Sequence, residues 1–462
     1  MIRQRIAVIG GVAAGPAAAA HAKRIDPDAD VILFEKGSHI SYGACEMPYY
    51  IADQIESADT LVIHDPESFQ REKSVAVFAG HDVTDVHPSR NRLVVRELAS
   101  GRSREERFDK FIFATGASAI RPDIQGSDAD NLFTVRCLAD AIGIKNYMSS
   151  HRVRHAIILG GGYIGLEMAE AMVRRQIRTT VLEPGSGLLN RYVSPALREY
   201  VQDVVHKNGV QVRSEKAVRF DVASSGAITS VGTDSGETIG CQLVIAAMGT
   251  RPNTELARRA GLRITETGTV EVDPHMRTSA ANVWACGDCV EVERIVDGRK
   301  ISLPLSQTAF RTARVAAENA ARRGRGQPAK FPGVCGASAV KVFGLEVARA
   351  GLSLDEARAA GFDAFVESVD DWSRVSFYPG AQRLHIELVV DRRNGRLLGG
   401  AAVGTEGAAL RVNVLVPLIW KGWLVSDIRD LDLIYAPPLA PSLDPLLVAA
   451  NRAVRGIRST KQ

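Results

Sequence analysis

A chain of 462 residues is longer than one hydrophobic core supports, so two or three domains are expected. Hydrophobic residues at 45% and charged residues at 24% are ordinary for a globular protein, and 57 basic against 53 acidic side chains leave a net charge of +4. That balance excludes a strong basic field for nucleic acid; no apolar run reaches the roughly 18 residues that span a bilayer; and six scattered cysteines point to a reducing cytoplasm, not a disulfide framework.

In chain order, the first element is Arg-Ile-Ala-Val-Ile-Gly-Gly-Val-Ala-Ala-Gly (residues 5–15). The basic residues Arg3 and Arg5 before an alanine-rich run imitate a secretory signal, but residues 6–9 read as a strand, followed by a glycine turn and a helix. Residues 31–35 form a second strand ending on Glu35. The same order returns at residues 155–165 (His-Ala-Ile-Ile-Leu-Gly-Gly-Gly-Tyr-Ile-Gly) and residues 180–183, ending on Glu183. A dinucleotide fold requires this sequence of parts. The strand delivers the chain to a tight turn, glycine admits the pyrophosphate, the helix N-terminus faces its charge, and the acid takes the ribose hydroxyls. One glycine fingerprint alone is weak evidence; two, each with strand, helix and acid in place, are not. The first copy departs from the strict pattern at Val12, where the second glycine normally stands.

Residues 108–116 read as a buried strand breaking at Ala-Thr-Gly, and residues 243–252 are its counterpart in the second half. Residues 278–288 end a strand on Asp288 at a glycine turn. Cys286 and Cys289 have the spacing of a redox dithiol or half a zinc site, but no second Cys or His pair completes a metal site, and packing inside this turn is the expected role. The basic stretches at residues 322–325 and 452–461 each read as a solvated helix end or a loose terminus. From about residue 330 the pattern changes to alternating strands (337–343, 384–390) and a Pro-rich finish at 435–441, a third α+β domain without a dinucleotide signature.

Together these motifs resemble the pyridine nucleotide–disulfide oxidoreductase superfamily across essentially the whole chain. The resemblance implies an α/β protein with two Rossmann-like domains, for FAD and NAD(P), and a C-terminal α+β dimerisation domain. The expected division is residues 1–117 and 251–328 for FAD, 118–250 for NAD(P) and 329–462 for dimerisation. By match, FAD falls to Gly10, Gly11, Ala14, Gly15, Glu35, Lys36, Val83, Ala114, Thr115, Gly116 and Asp288. The nicotinamide dinucleotide falls to Gly160, Gly162, Tyr163, Ile164, Gly165, Glu183 and Gly249, with Tyr163 moving aside for the nicotinamide. Glu183 would repel a 2′-phosphate, which favours NADH over NADPH, although Arg191 lies nearby.

The segment Ser-Tyr-Gly-Ala-Cys-Glu-Met-Pro-Tyr-Tyr (residues 41–50) lies where the superfamily presents its redox cysteine. Dithiol members carry two cysteines here; this chain has Cys45 alone. Its oxidised form must then be a mixed disulfide, a persulfide or a sulfenic acid. That looks like the single-cysteine branch of coenzyme A-disulfide reductases, persulfide reductases and NADH oxidases or peroxidases. Pro48 suits a first helical turn, so Cys45 is expected at a helix N-terminus that lowers its thiol pKa. Two residues depart from the branch: Ala44 replaces an asparagine, and Glu46 replaces a small residue, whose charge would tend to raise the thiol.

The resemblance further implies coenzyme A contacts from Lys23, Arg24, Ser41 and Lys73. In a homodimer it carries Tyr378 and Tyr435 into the partner's site, either as proton donors or as interface aromatics. The expected reaction is NAD(P)H-driven reduction of a small thiol-derived disulfide or persulfide through Cys45. Two alternatives stay open: an NADH oxidase or peroxidase cycling Cys45 through sulfenic acid, and a flavin redox sensor or electron-transfer reductase for a protein partner.

Overall fold

In a computed structural model, which describes residues 3–324 and 326–459, the two glycine fingerprints open two separate parallel sheets. The strand Arg5–Ile9 lies between Asp30–Phe34 and Lys110–Phe113, with Ala76–Phe78 and Val283–Ala285 at the edges. Its residues from Ile6 to Ile9 are all buried, as a strand covered on both faces requires. The second sheet repeats the plan. His155–Leu159 lies between Arg178–Leu182 and Leu243–Ala246, flanked by Gln211–Arg213 and Leu132–Thr134, all parallel.

Each sheet also carries a three-stranded antiparallel satellite, built from His81–His87, Arg92–Glu97 and Ser103–Arg107 in the first and Ala217–Val222, Ile228–Thr233 and Thr238–Gly240 in the second. The chain crosses between the halves as a two-stranded ribbon, Ala117–Ala119 against Thr250–Pro252.

Helix Ala14–Ile25 packs on helix Ser306–Ala321 through small residues. Ala18, Ala19 and Ala22 are buried on one, and Ala313, Ala316, Ala317 and Ala320 on the other, which lets the two axes approach closely. Phe34, Phe108, Phe111 and Phe113 close the sheet beneath them, each fully buried side chain contributing on the order of 2–3 kcal/mol. The third unit is a five-stranded antiparallel sheet, ordered Ser338–Val342, Leu345–Gly351, Leu397–Gly404, Arg383–Asp391, Ala364–Trp372. Helices Ala408–Lys421 and Pro445–Ser459 cover it.

Of the two basic stretches, Arg323 follows the helix Ser306–Ala321 and pairs with Asp26 at 2.6 Å. Arg452 and Arg455 lie on the terminal helix Pro445–Ser459, the helix-end alternative of the two expected; Arg325 and Lys461 lie outside the described residues. Among the described residues no helix is long and apolar enough to cross a membrane, and no cluster of three or more His, Cys, Asp or Glu is placed to hold a metal ion.

Candidate active site

The two fingerprint turns are built alike to the level of single hydrogen bonds. Gly10 and Gly160 adopt φ of +110° and +107°, a region open to glycine. A Cβ on Gly10 would collide with the Ala114 carbonyl, and one on Gly160 with the Ala247 carbonyl. Glu35 Oε2 accepts the Gly11 N–H at 2.5 Å, and Glu183 Oε2 accepts the Gly161 N–H at the same distance. The other Glu35 oxygen takes the Gly37 N–H at 2.6 Å; that of Glu183 takes the Asn190 side-chain amide at 3.4 Å. Helices Ala14–Ile25 and Tyr163–Arg174 then begin with no side-chain cap and no acid in the first turn, which leaves their N–H groups for an anion. Both cradles fit a dinucleotide pyrophosphate.

The other cofactor candidates surround these cradles. Val83 is buried on His81–His87, Lys36 is exposed beside Glu35, and Ile164 is exposed at the start of the second helix. Gly249 holds φ +98° and its carbonyl accepts the Ile120 N–H. The Tyr163 ring stacks on Tyr192 at 4.1 Å between centroids, and its hydroxyl meets Ser338 Oγ of the third unit at 2.8 Å.

Where the halves meet, Thr115 Oγ1 donates to the Asn253 carbonyl and the Asn253 amide donates back to the Thr115 carbonyl, at 2.7 and 2.9 Å. This clasp holds Ala114, Thr115 and Gly116 (φ +65°) at the crossover. Asp288 follows Gly287, whose φ is +78° and whose Cβ would press on Ala14. The Asp288 carboxylate pairs with Arg136 at 2.8 Å, and Arg136 Nε also donates to the Ala117 carbonyl. The glycine turn before Asp288 was expected; Arg136 and Asn253 were not. Arg136 lies 152 residues from its acid and no local pattern marks it. Cys286 and Cys289 are fully buried, Cys289 Sγ donating to the Cys286 carbonyl at 3.2 Å, and burial pushes both thiols up.

Cys45 lies just before Glu46, which precedes the helix Met47–Ile51 without capping it by its side chain. Among the described cysteines Cys45 is the exposed one, Cys137 is half-buried, and the other four are buried. The expectation of a lowered thiol is overturned. The helix is one turn long, partial desolvation of the sulfur outweighs it although the residue as a whole is exposed, and Glu46 and then Glu167 add like-charge repulsion. Together they push the Cys45 thiol up, against a hydrogen bond from Ser306 and the positive charge of Arg136. Glu167, on the second fingerprint helix, was not anticipated either; burial and its neighbour Glu170 push its carboxyl up to about 7.

The residues expected to meet coenzyme A have separate neighbours. Lys23 donates to the Ala29 carbonyl, Arg24 lies against His21, and Lys73 lies against Glu72, which also meets His64. Ser41, at φ +47°, accepts the Ile63 N–H through its carbonyl. Tyr378 and Tyr435 are on the surface of the third unit, 37% and 51% exposed.

Two dinucleotide cradles on paired parallel sheets, joined at an Ala-Thr-Gly crossover facing an exposed cysteine, define an NAD(P)H-dependent flavoprotein oxidoreductase. Comparison with known proteins agrees. The family model for pyridine nucleotide-disulphide oxidoreductases matches residues 4–320, and the model for the dimerisation domain of the same family matches residues 337–446. This chain belongs to that family. A protein of Pyrococcus abyssi named NAD(P)H sulfur oxidoreductase (CoA-dependent) is 35% identical over 450 residues, covering 97% of this chain and 98% of its own length. An NADH oxidase of Methanocaldococcus jannaschii is 31% identical over 451 residues, covering 98% and 99% respectively. The structure of a NAD-dependent persulfide reductase from A. fulgidus matches with a TM-score of 0.94 at 32% identity, over 99% of this chain and 84% of that one.

Proposed function

We propose that this enzyme reduces low-molecular-weight disulfides or persulfides of the coenzyme A type, with Cys45 holding the sulfur under reduction. The observation that carries the reading is Cys45 itself: exposed, beside the crossover, with no second thiol paired to it among the described cysteines. Cys137, the half-buried one, is committed to capping the helix Leu138–Ser150 together with Asp140. A lone thiol stores an oxidising equivalent only as a bond to an outside sulfur or oxygen. FAD, held by the first cradle, Asp288 and the Thr115 crossover, supplies hydride acceptance and electron transfer to that sulfur. The chain's own part is to present the Cys45 sulfur, to hold it with Ser306, and to set Arg136 against the charge that develops there.

The raised Cys45 thiol is suited to a cycle in which the resting sulfur is protonated and ionises as substrate arrives. Lys23, Arg24, Ser41 and Lys73 are proposed to meet the coenzyme A phosphates and pantetheine arm. A second copy of the chain is proposed to cover the exposed Phe377, Ile434, Leu439 and Leu443, bringing Tyr378 and Tyr435 to the opposite site. An anaerobic NADH titration of the yellow protein tests the reading. Uptake of more than one pair of electrons, with a long-wavelength band that coenzyme A disulfide or persulfide discharges, supports it. Uptake of one pair, with the flavin left reduced by both compounds, overturns it.

The exposed thiol and the oxidase relative favour one second reading, an NADH oxidase passing Cys45 through sulfenic acid. Oxygen consumption with NADH alone, as fast as the disulfide reaction, would select it.

NADH is the proposed reductant. Glu183, with one oxygen on the Gly161 amide and the other facing Asn190, is the residue proposed to take the adenosine ribose, so a 2′-phosphate would meet a carboxylate. Glu183→Ala is expected to raise the NADPH-to-NADH ratio of kcat/KM on the order of tenfold. An unchanged ratio in steady-state kinetics would remove Glu183 as the discriminating group.

A further inference from the structure

Three units of the fold meet beside Cys45. Helix Met47–Ile51 of the first, helix Tyr163–Arg174 of the second and strand Ser338–Val342 of the third border a small cavity with room for roughly one water. Pro48, Tyr49, Gln54, Glu167, Glu170 and Lys341 line it. Tyr49 and Glu167 face the same cavity, close enough for the tyrosine to act on the Glu167 carboxyl, and Tyr49 is within electrostatic range of Cys45 and Glu46.

The two carboxyls on this helix have different partners. Glu170 takes Arg174 at 2.8 Å and the Phe343 N–H at 2.7 Å. Among the described residues Glu167 has no ion pair. Lys341, the cation of this cavity, turns toward Glu346, and Arg136 and Ser306 act on Cys45 itself. A half-buried acid without a cation, beside a second carboxyl, is the group that retains a proton.

We propose that Glu167, acting through the Tyr49 hydroxyl, holds and delivers the proton that the Cys45 site consumes in each turnover. The inference rests on the reading of Cys45 as the redox sulfur. Attack of the Cys45 thiolate on a disulfide RSSR forms the mixed disulfide and releases one RS⁻. Two electrons from NADH then break the mixed S–S bond, restoring the Cys45 thiolate and releasing a second RS⁻. Oxidation of NADH to NAD⁺ yields one proton, whereas two RS⁻ require two. The other passes from the Glu167 carboxyl to Tyr49 as Tyr49 gives its own to the leaving thiolate, and solvent returns it to Glu167 through the cavity. The sum is NADH + H⁺ + RSSR → NAD⁺ + 2 RSH. Because the Glu167 carboxyl titrates near 7, the supply is full below neutrality and fails as pH rises through that value.

Two measurements on the flavin-loaded enzyme test this, using Glu167→Gln and Tyr49→Phe. The first is the pH dependence of Cys45 alkylation by iodoacetamide. Glu167→Gln removes a charge that opposes the thiolate, so the midpoint moves to lower pH. The second is kcat with coenzyme A disulfide. The parent is expected to lose kcat above pH 7, while both variants run about 100-fold slower at pH 6 with no bend near 7. An alkylation midpoint unmoved in Glu167→Gln, or a bend near pH 7 that survives in both variants, overturns the proposal. Alkylation reads the thiol directly, so its outcome is independent of the substrate. Disulfide turnover surviving in Cys45→Ser would sink the redox reading and leave the alkylation result standing.

Discussion

Cys45→Ser is expected to reduce coenzyme A disulfide at a rate lower by about 10³-fold or more, while NADH still bleaches the flavin at the parental rate. The separation follows from the layout. The second cradle, around Gly160 and Glu183, is the one proposed to take the hydride donor, and a serine at position 45 disturbs none of its hydrogen bonds. Sulfur chemistry, in contrast, has nowhere else to go. Cys137 is tied to its helix, and Cys241, Cys286, Cys289 and Cys335 are buried with thiols that desolvation pushes up. Stopped-flow absorbance separates the two half-reactions. Disulfide turnover within tenfold of the parent would show that electrons leave the flavin without Cys45, and an electron-transfer role would then replace the thiol mechanism. The raised Cys45 thiol adds a pH signature for the parent: the second-order attack on disulfide should quicken as alkali increases the thiolate fraction.

What was legible in the sequence was local. The turns at Gly10 and Gly160, and the acids Glu35 and Glu183, occupy short stretches in which strand, glycine and acid must follow one another, and the structure places them where that order requires. The third unit was legible only as a change of pattern, because an antiparallel sheet with helices has no fixed motif. What escaped is made by distant pairing. Arg136 meets Asp288 across the crossover, Ser306 reaches Cys45 from the start of a late helix, and Glu167 comes to Tyr49 from the opposite domain. The error over Cys45 has the same origin. A helix N-terminus can be read from Pro48 and the opposing charge of Glu46 from the next position, but the desolvation that outweighs the helix, and the added charge of Glu167, come from packing that brings distant segments over the sulfur.

Equivalent glycines in the two cradles offer a way to assign each cradle its dinucleotide. A Cβ on Gly15 would fall well inside contact distance of the Gly10 carbonyl oxygen, and a Cβ on Gly165 would do the same to the Gly160 carbonyl. Both obstacles are backbone, and the Gly10 and Gly160 carbonyls cannot retreat without opening turns already pressed against Ala114 and Ala247. Relief has to come from moving the helix N-terminus, the part that faces the pyrophosphate. Gly15→Ala is therefore expected to yield a nearly colourless protein, its FAD content down at least about tenfold, for a displacement costing on the order of 1.4 kcal/mol or more. Gly165→Ala should stay yellow and instead show a raised KM for NADH. Gly80→Ala is the control. Its φ is +68°, unlike those of the two helical glycines, and an added Cβ there has nothing within 4 Å, so it carries only the backbone penalty of about 1–2 kcal/mol, with flavin and NADH kinetics unchanged. Flavin lost from Gly165→Ala and retained in Gly15→Ala would exchange the assignments of the two cradles. Equal loss in all three would mean that the substitutions act through global stability, and the cradle geometry would then not be what retains the cofactor.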